Sequence, residues 1–462
     1  MIEKAVLGGL SRIVGPQHLL TDVPRMSEYH SDATKLSFIP DAVVFPGNSD
    51  EISQILSLAT QEGFPVVPRG AGSGMSGGAV PVKGGVVMAM NRLDRILFID
   101  RDNLIAAVEP GVITAALQES VEALGLFYPP DPASLNISTI GGNVAECAGG
   151  LRAVKYGVTR DYVLGLTVVL PTGEILDTGV KTMKGVAGYD LTRLITGSEG
   201  TLAVITAVTL RLIPKPEAKR TMIAFFPTVA AAVQTVSDTV RHKIVPTILE
   251  LMDRLSIDCV RDELTMDIPE DAGAVLLIEV DGDEELVRRQ TEKIREVCHQ
   301  GGASHFEAAA TDREAEGLWE ARRNVSPSLF KLNPHKINED VVVPRSRMPL
   351  LVTFLEELTR EYGLPIASFG HAGDGNIHVN IMLDKEDPLQ LGHAQRAVKR
   401  LFGKVIEMGG TLTGEHGIGI TKAPYLEMEI PRSGLDLMWR IKQAFDPKGI
   451  LNPGKIFMEK GS

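Results

Sequence analysis

Pro68-Arg69-Gly70-Ala71-Gly72-Ser73-Gly74-Met75-Ser76-Gly77-Gly78 follows the short apolar run Pro65-Val66-Val67. So dense a run of glycine after a proline makes either a tight structural turn or a loop that binds through its backbone. Glycine populates positive φ and has no Cβ, so a ligand can approach the main chain closely. Successive N–H groups then form a concave anion site suited to a diphosphate. Gly72 to Gly77 also spells G-x-G-x-x-G, but that fingerprint needs a helix opening on the third glycine. Here Pro81 and Gly84-Gly85 intervene, and Val86-Val87-Met88-Ala89-Met90 reads as a strand. The loop is therefore not of the Rossmann kind, and a nucleotide reading needs support elsewhere.

The rest of the composition narrows the class. At 462 residues the chain has room for two or three domains. It is 44% hydrophobic with 46 glycines and no repeat period, which suits a large α/β or α+β enzyme and argues against disorder. A net charge of −12 argues against a nucleic-acid partner. Cys147, Cys259 and Cys298 are far apart and form no C-x-x-C pair, so the chain carries no iron–sulfur or zinc-thiolate motif. Sparse cysteine, no secretory leader and no apolar run of eighteen residues lead us to expect a cytoplasmic protein.

Outward from the loop, residues 1–37 read as one or two helices and a connector. Asp41 to Pro46 is a strand. Ser49 or Asp50 caps a helix with Ile52, Ile55, Leu56 and Ala59 on one face, stopped by Gly63. Leu104 to Val108 is a strand, and Thr114 opens a helix carrying Leu117, Val121 and Leu124. Residues 129–150 show few helical signals; such a length of small and turn-forming residues suits a chain laid along an extended ligand, or a surface loop. Val163 to Leu176 is a hairpin turning at Pro171-Thr172-Gly173. Pro214-Lys215-Pro216 marks a domain boundary. Beyond it, helices near 228–241, 284–300 and 348–362 separate strands at 221–226, 274–280 and 337–343, a pattern predicting an antiparallel sheet with helices on one face.

A second concentration of chemistry lies at Gly370-His371-Ala372-Gly373-Asp374-Gly375-Asn376-Ile377-His378-Val379-Asn380 and Gly414-Glu415-His416-Gly417-Ile418-Gly419. His378 and Asn380 alternate with apolar residues and share a strand face. Two histidines and a glutamate suffice to hold Zn²⁺ or Mn²⁺ with positions open for substrate, and the same groups serve acid–base chemistry without a metal. Asp374 suits the turn. Arg322, Arg323 and Lys336 are either a carboxylate clamp or a solvated face.

Taken in order, Pro68-Arg69-Gly70-x-Gly72-Ser73, Ile140-Gly141-Gly142-Asn143, Gly197-Ser198-Glu199-Gly200-Thr201-Leu202, Gly370-His371-x-Gly373-Asp374-Gly375-Asn376-x-His378, Gly414-Glu415-His416-Gly417-x-Gly419 and Leu451-Asn452-Pro453-Gly454-Lys455 resemble one family. It is the vanillyl-alcohol-oxidase-type (PCMH) FAD flavoproteins, in the branch of the glycolate oxidase FAD subunit, D-lactate dehydrogenase and D-2-hydroxyglutarate dehydrogenase. The resemblance runs from about residue 40 to 458. It implies an α+β protein: an N-terminal helical segment (1–37), a two-lobed PCMH-type FAD-binding domain (38–217), an antiparallel-sheet substrate cap (218–410) and a C-terminal helical segment (411–462) that completes the site and returns to the FAD domain.

Residue by residue, the resemblance implies FAD contacts from Pro68, Arg69, Gly70, Ala71, Gly72, Ser73, Gly74 and Gly77. Further FAD contacts are Asp131, Ser134, Gly141, Gly142, Asn143, Ala148, Gly149, Gly150, Tyr156, Gly157, Glu199, Gly200, Ile205 and Asn452. No histidine lies between Arg69 and Gly78, so non-covalent FAD is expected. The resemblance assigns a divalent metal, Zn or Mn, to His371, His378 and Glu415. His416 takes the hydroxyl proton, Arg322 and Lys336 meet the substrate carboxylate, with the hydroxyl of Ser326 nearby, and Asn380 supports the site.

The implied reaction oxidises a D-2-hydroxy acid, glycolate or D-lactate, to the 2-oxo acid. Electrons then pass to an iron–sulfur subunit, an electron-transfer flavoprotein or a quinone, which admits peripheral membrane association through a partner. D-2-hydroxyglutarate oxidation, a His/His/Glu metallohydrolase and a non-catalytic electron-relay subunit are the alternatives. The sequence leaves the hydroxy acid, the metal, the acceptor and homo-oligomerisation open.

Overall fold

The computed structural model describes residues 2–263 and 268–458. They form two compact units. The first comprises residues 2–149, 158–215 and 415–458; the second comprises 150–157 and the described part of 216–414. The N-terminal segment thus belongs to the first unit, and the chain leaves that unit within Pro214-Lys215-Pro216.

The first unit has two lobes. One is a four-stranded sheet in the order Leu19–Leu20, Ala42–Val44, Val86–Ala89, Val66–Arg69, with the last three strands parallel. Helix Lys4–Val14 buries Val6, Leu10 and Val14, and helix Ser49–Glu62 buries Ile52, Ile55, Leu56 and Ala59, in a shared core with Val44, Val66 and Met88. The second helix is capped by Asn48, whose side chain accepts from Glu51 N at 2.9 Å, one residue before the expected Ser49 or Asp50. The other lobe is a five-stranded antiparallel sheet in the order Ile96–Asp100, Ile105–Val108, Val204–Arg211, Val163–Val169, Ile175–Gly179. The last two strands are the expected hairpin.

Residues 129–150 depart from the sequence reading. They include a two-turn helix, Ile140–Glu146, started by Thr139, whose Oγ1 accepts from Gly142 N at 3.2 Å. Cap chemistry thus overrides the poor helix propensity of Gly141-Gly142. Leu124 lies beyond its helix, Thr114–Glu122, and is 37% exposed, so it does not continue the face of Leu117 and Val121.

The C-terminal segment rejoins the four-stranded sheet. Val66 N donates to Ile450 O and Asn452 N to Val66 O, both at 2.8 Å. Helix Arg432–Phe445 is pinned by Lys442, whose buried ammonium donates to Thr201 O (2.7 Å), to Leu451 O (2.8 Å) and to Asp446. Lys442→Met strands the Asp446 carboxylate and two carbonyls, and is expected to cost about 3–5 kcal/mol. Urea unfolding checks this, and a loss below about 1 kcal/mol would refute the pin.

The second unit is a seven-stranded sheet, antiparallel throughout, in the order His305–Ala308, Ala218–Phe226, Ala274–Gly282, Ile248–Asp253, Ile366–Gly370, Asn376–Leu383, His335–Val342. The expected antiparallel sheet is present, but helices cover both faces rather than one. Ile223, Phe225, Val275 and Leu277 pack against Ile257, Val260, Trp319 and Val325, from helices Arg254–Val260 and Asp312–Ser328. The alternate residues Met222, Ala224, Leu276 and Ile278 are equally buried, and helices Val229–Arg241 and Glu284–Gln300 pack on these strands. Among the described residues, no helix is long and apolar enough to cross a membrane.

Candidate active site

In the first unit, the glycine stretch leaves the strand Val66–Arg69 and lines a cleft of about 230 Å³. Gly72 has φ +70°, and a Cβ there would lie 2.1 Å from the Arg69 guanidinium. A Cβ on Gly70 would lie 2.4 Å from Thr139 Oγ1. Gly70 therefore lets the loop lie against the capped start of helix Ile140–Glu146, and Gly72 supplies its left-handed turn beside Arg69.

Arg69 lines the cleft but aims its side chain elsewhere. Its guanidinium donates to Glu28 O at 2.9 Å and sits 5.8 Å from the Tyr29 ring centre, so it braces the loop. Asn143 likewise turns its amide to Thr114 Oγ1 at 2.7 Å.

The cleft gathers Pro68 to Gly74, Ser134, Gly141, Gly142, Asn143, Ala148, Gly149, Glu199, Gly200 and Ile205. Glu415 and His416 line the same cleft, with the Glu415 carboxylate packed on Gly149. Gly77, Asp131 and Asn452 are outside the lining. Gly77 meets Ile420, and Asn452 Nδ2 donates to Gly78 O (2.9 Å) and Glu199 O (2.7 Å), tying the tail to two cleft loops. Gly150, Tyr156 and Gly157 belong to the second unit, where Tyr156 OH donates to the Asp281 carboxylate at 2.9 Å.

Glu199 has a second task. Its two carboxylate oxygens accept from Ile418 N and Gly419 N, both at 2.7 Å, so it fixes the turn directly after Glu415-His416. Burial pushes its carboxyl up; those two N–H groups, Lys455 and Lys422 oppose the rise. Thr139 and Glu146 also line the cleft and were missed in the sequence. Thr139 has a legible signal, a threonine three residues before the N–H that it caps.

In the second unit, strand Asn376–Leu383 presents His378 and Asn380, both buried. His371 and His378 lie 5.1 Å apart, ring centre to ring centre, and nearly perpendicular. Asn376 N donates to Asp374 Oδ1 at 3.3 Å, the expected turn role.

The organising residue here is one that the sequence reading passed over. Glu250, fully buried, accepts from His371 Nδ1 at 2.5 Å through Oε1, and from Arg322 Nε (2.8 Å) and Nη2 (2.5 Å) through Oε2. Burial works to raise its carboxyl, but His371 and Arg322 outweigh burial and hold it down to about 2. The ionised carboxylate keeps the His371 proton on Nδ1 and the lone pair on Nε2. The available signal was a lone acid inside the apolar run Ile248-Leu249-Glu250-Leu251-Met252, which must find a partner once buried.

Arg322 also stacks 4.6 Å from the Phe369 ring centre. Arg323 is exposed and pairs with Glu316, so only the first of the two arginines faces inward. Lys336 Nζ donates to Ser326 Oγ at 2.5 Å. Asp340, wholly buried, accepts from Asn376 Nδ2 (2.6 Å), Thr413 Oγ1 (3.0 Å) and Gly414 N (2.9 Å), fixing the backbone just before Glu415.

Comparison with known proteins identifies this frame. The FAD binding domain family matches residues 40–179, and the C-terminal domain of FAD linked oxidases matches residues 215–456. The chain belongs to the FAD-linked oxidases. It is similar to the glycolate oxidase subunit GlcD of Bacillus subtilis (strain 168), at 47% identity over 99% of this chain and 97% of that one. It is also similar to a D-lactate dehydrogenase of Anaerostipes hadrus, at 36% identity over 90% and 89%. A solved p-cresol methylhydroxylase with substrate bound shares the fold: TM-score 0.79 at 17% identity, covering 98% of this chain and 96% of that one. This FAD-linked oxidase is thus an FAD-dependent oxidoreductase of PCMH-type α+β architecture.

The cleft fits the cofactor on its own chemistry. Its loop walls tolerate no Cβ at Gly70 or Gly72, and its lining is largely backbone and small side chains. Gly70→Ala is expected to leave a folded protein that purifies without flavin colour. Retention of stoichiometric FAD in that variant, read by absorbance, would contradict the cradle.

Proposed function

We infer that this FAD-linked oxidase oxidises a D-2-hydroxy acid, glycolate or D-lactate, to the 2-oxo acid, and passes the electrons to a separate acceptor. The observation that carries the reading is that Glu415 and His416 line the same cleft as the glycine loop. A half-buried base beside a flavin cleft is what dehydrogenation of an alcohol requires, because the hydroxyl proton and the C2 hydride must leave in opposite senses. The names of the relatives, glycolate oxidase subunit and D-lactate dehydrogenase, support the substrate class.

FAD, held without a covalent bond by the glycine loop and the 140–149 segment, supplies the acceptor for the C2 hydride. A divalent metal, Zn or Mn, on His371, His378 and Glu415 supplies Lewis-acid activation of the hydroxyl oxygen. The carboxylate-backed Nδ1 of His371, usual for a ligating imidazole, supports its place in that set. His416 takes the hydroxyl proton. Arg322 and Lys336 receive the substrate carboxylate; Nη1 of Arg322 is the part of its guanidinium not engaged by Glu250. Asn380, buried on the same strand as His378, supports the site. Glu199 and Asp340 hold the backbone on either side of Glu415-His416. An iron–sulfur subunit, an electron-transfer flavoprotein or a quinone takes the electrons onward.

Chelation tests this reading against hydrolysis. Dialysis against a strong chelator is expected to leave the protein yellow and abolish reduction by the hydroxy acid, with recovery on adding Zn²⁺ or Mn²⁺. Full turnover without metal would remove the metal from the mechanism. Hydrolase activity that disappears with the metal, in a protein inert to hydroxy acids, would replace the reading.

A further inference from the structure

Glu146 is the one acid in the cleft lining without a role so far. It ends helix Ile140–Glu146, and its carboxyl is wedged between two backbones. Oε1 lies 2.7 Å from where a Cβ of Gly78 would be, and Oε2 lies 2.5 Å from the corresponding point of Gly417. Oε2 is fully enclosed without a hydrogen-bond partner, so Oε1 is the oxygen through which this carboxyl meets the cleft. That same point on Gly417 lies 3.1 Å from Glu199 Oε1, so two carboxyl groups converge on one glycine.

Adjacent buried carboxyls do not both ionise, and the one with more donors keeps the charge. Glu199 has two N–H donors, and Lys422 and Lys455 act on it. Against Glu146 stand Glu199 and Asp32, both acids, and burial. Asp32 is itself engaged by Thr34 and by the charge of Arg69. All three influences push the Glu146 carboxyl well above the usual carboxylate range, burial most strongly.

We propose that Glu146 is an uncharged carboxylic acid that donates its O–H to the FAD bound in this cleft, as a cofactor-positioning residue. The proposal rests on the cofactor reading and adds to it a proton that stays with the protein at neutral pH. An O–H donor holds an acceptor atom of the cofactor where a carboxylate would repel it.

The test uses the FAD-loaded protein at pH 7 and two variants, Glu146→Gln and Glu146→Ala. Infrared spectra of wild type minus Glu146→Gln are expected to contain a carboxylic-acid carbonyl band; a carboxylate pair of bands instead would overturn the assignment. Glutamine keeps a donor, so FAD affinity should stay within about threefold of wild type. Alanine should weaken it about tenfold, the effect of one lost hydrogen bond. Equal affinity in all three proteins would overturn the donor role while leaving the cofactor reading intact. A wild type that takes up no FAD would overturn both. Thermal melts of the cofactor-free proteins exclude misfolding, and the infrared comparison stands without the alanine variant.

Discussion

Replacing His416 with alanine is expected to slow flavin reduction by the hydroxy acid about 10²–10⁴-fold while FAD remains bound. The reasoning is geometric. His416 is one residue among many in the cleft lining, so its loss removes a base and little of the cradle. Its backbone is held from both directions, by Glu199 on Ile418 and Gly419 and by Asp340 on Gly414. The loop therefore keeps its course when the imidazole is gone. Anaerobic stopped-flow at saturating substrate measures the step directly. Unchanged reduction rates would transfer the base role to another group, and loss of FAD would make His416 a structural residue.

The second large effect is expected at Glu250. Glu250→Ala leaves Arg322 and His371 buried without their shared carboxylate, which costs roughly 3–5 kcal/mol for a broken buried pair. Activity should fall further than stability explains, because Arg322 and His371, the proposed carboxylate clamp and metal ligand, both lose their orientation. Glu250→Gln keeps the volume and separates the two effects.

The pH dependence has a definite sign. The folded-state carboxyl is held down to about 2, against about 4.3 for an unperturbed glutamate. Its contribution is complete above the unfolded value and is lost as pH falls from there through about 2. Acid unfolding of the wild type should therefore steepen in that window, and that of Glu250→Gln should be flatter. Superimposable acid curves would show that Glu250 carries no such charge.

What the sequence made legible was local. The hairpin at 163–179 is announced by Pro171-Thr172-Gly173, and helix Ser49–Glu62 by its apolar spacing and Gly63. The glycine loop, Glu199-Gly200 and Glu415-His416 were legible as motifs, and the structure brings them to one cleft. What stayed hidden was set by distant partners. Glu250 takes its meaning from residues 72 and 121 positions away, and Asn452 from carbonyls 253 and 374 positions away. No local pattern encodes such pairings. The helix at 140–146 was hidden for a different reason. Its glycines read as loop, and only the Thr139 cap and the contact with Gly70 show why they are tolerated. Strand periodicity likewise located the second sheet without showing that both of its faces are covered.

Hydride transfer from a 2-hydroxy acid to a flavin in this chain is the step on which the proposed function stands. It is tested most directly by the anaerobic visible spectrum of the purified protein, recorded before and after adding glycolate, D-lactate, L-lactate and D-2-hydroxyglutarate in turn. The protein is expected to be yellow, with a flavin band that bleaches with glycolate or D-lactate and is unchanged by L-lactate. A yellow protein bleached by none of the four would contradict the assigned substrate class, and a protein that stays colourless after incubation with FAD would contradict the account at its root.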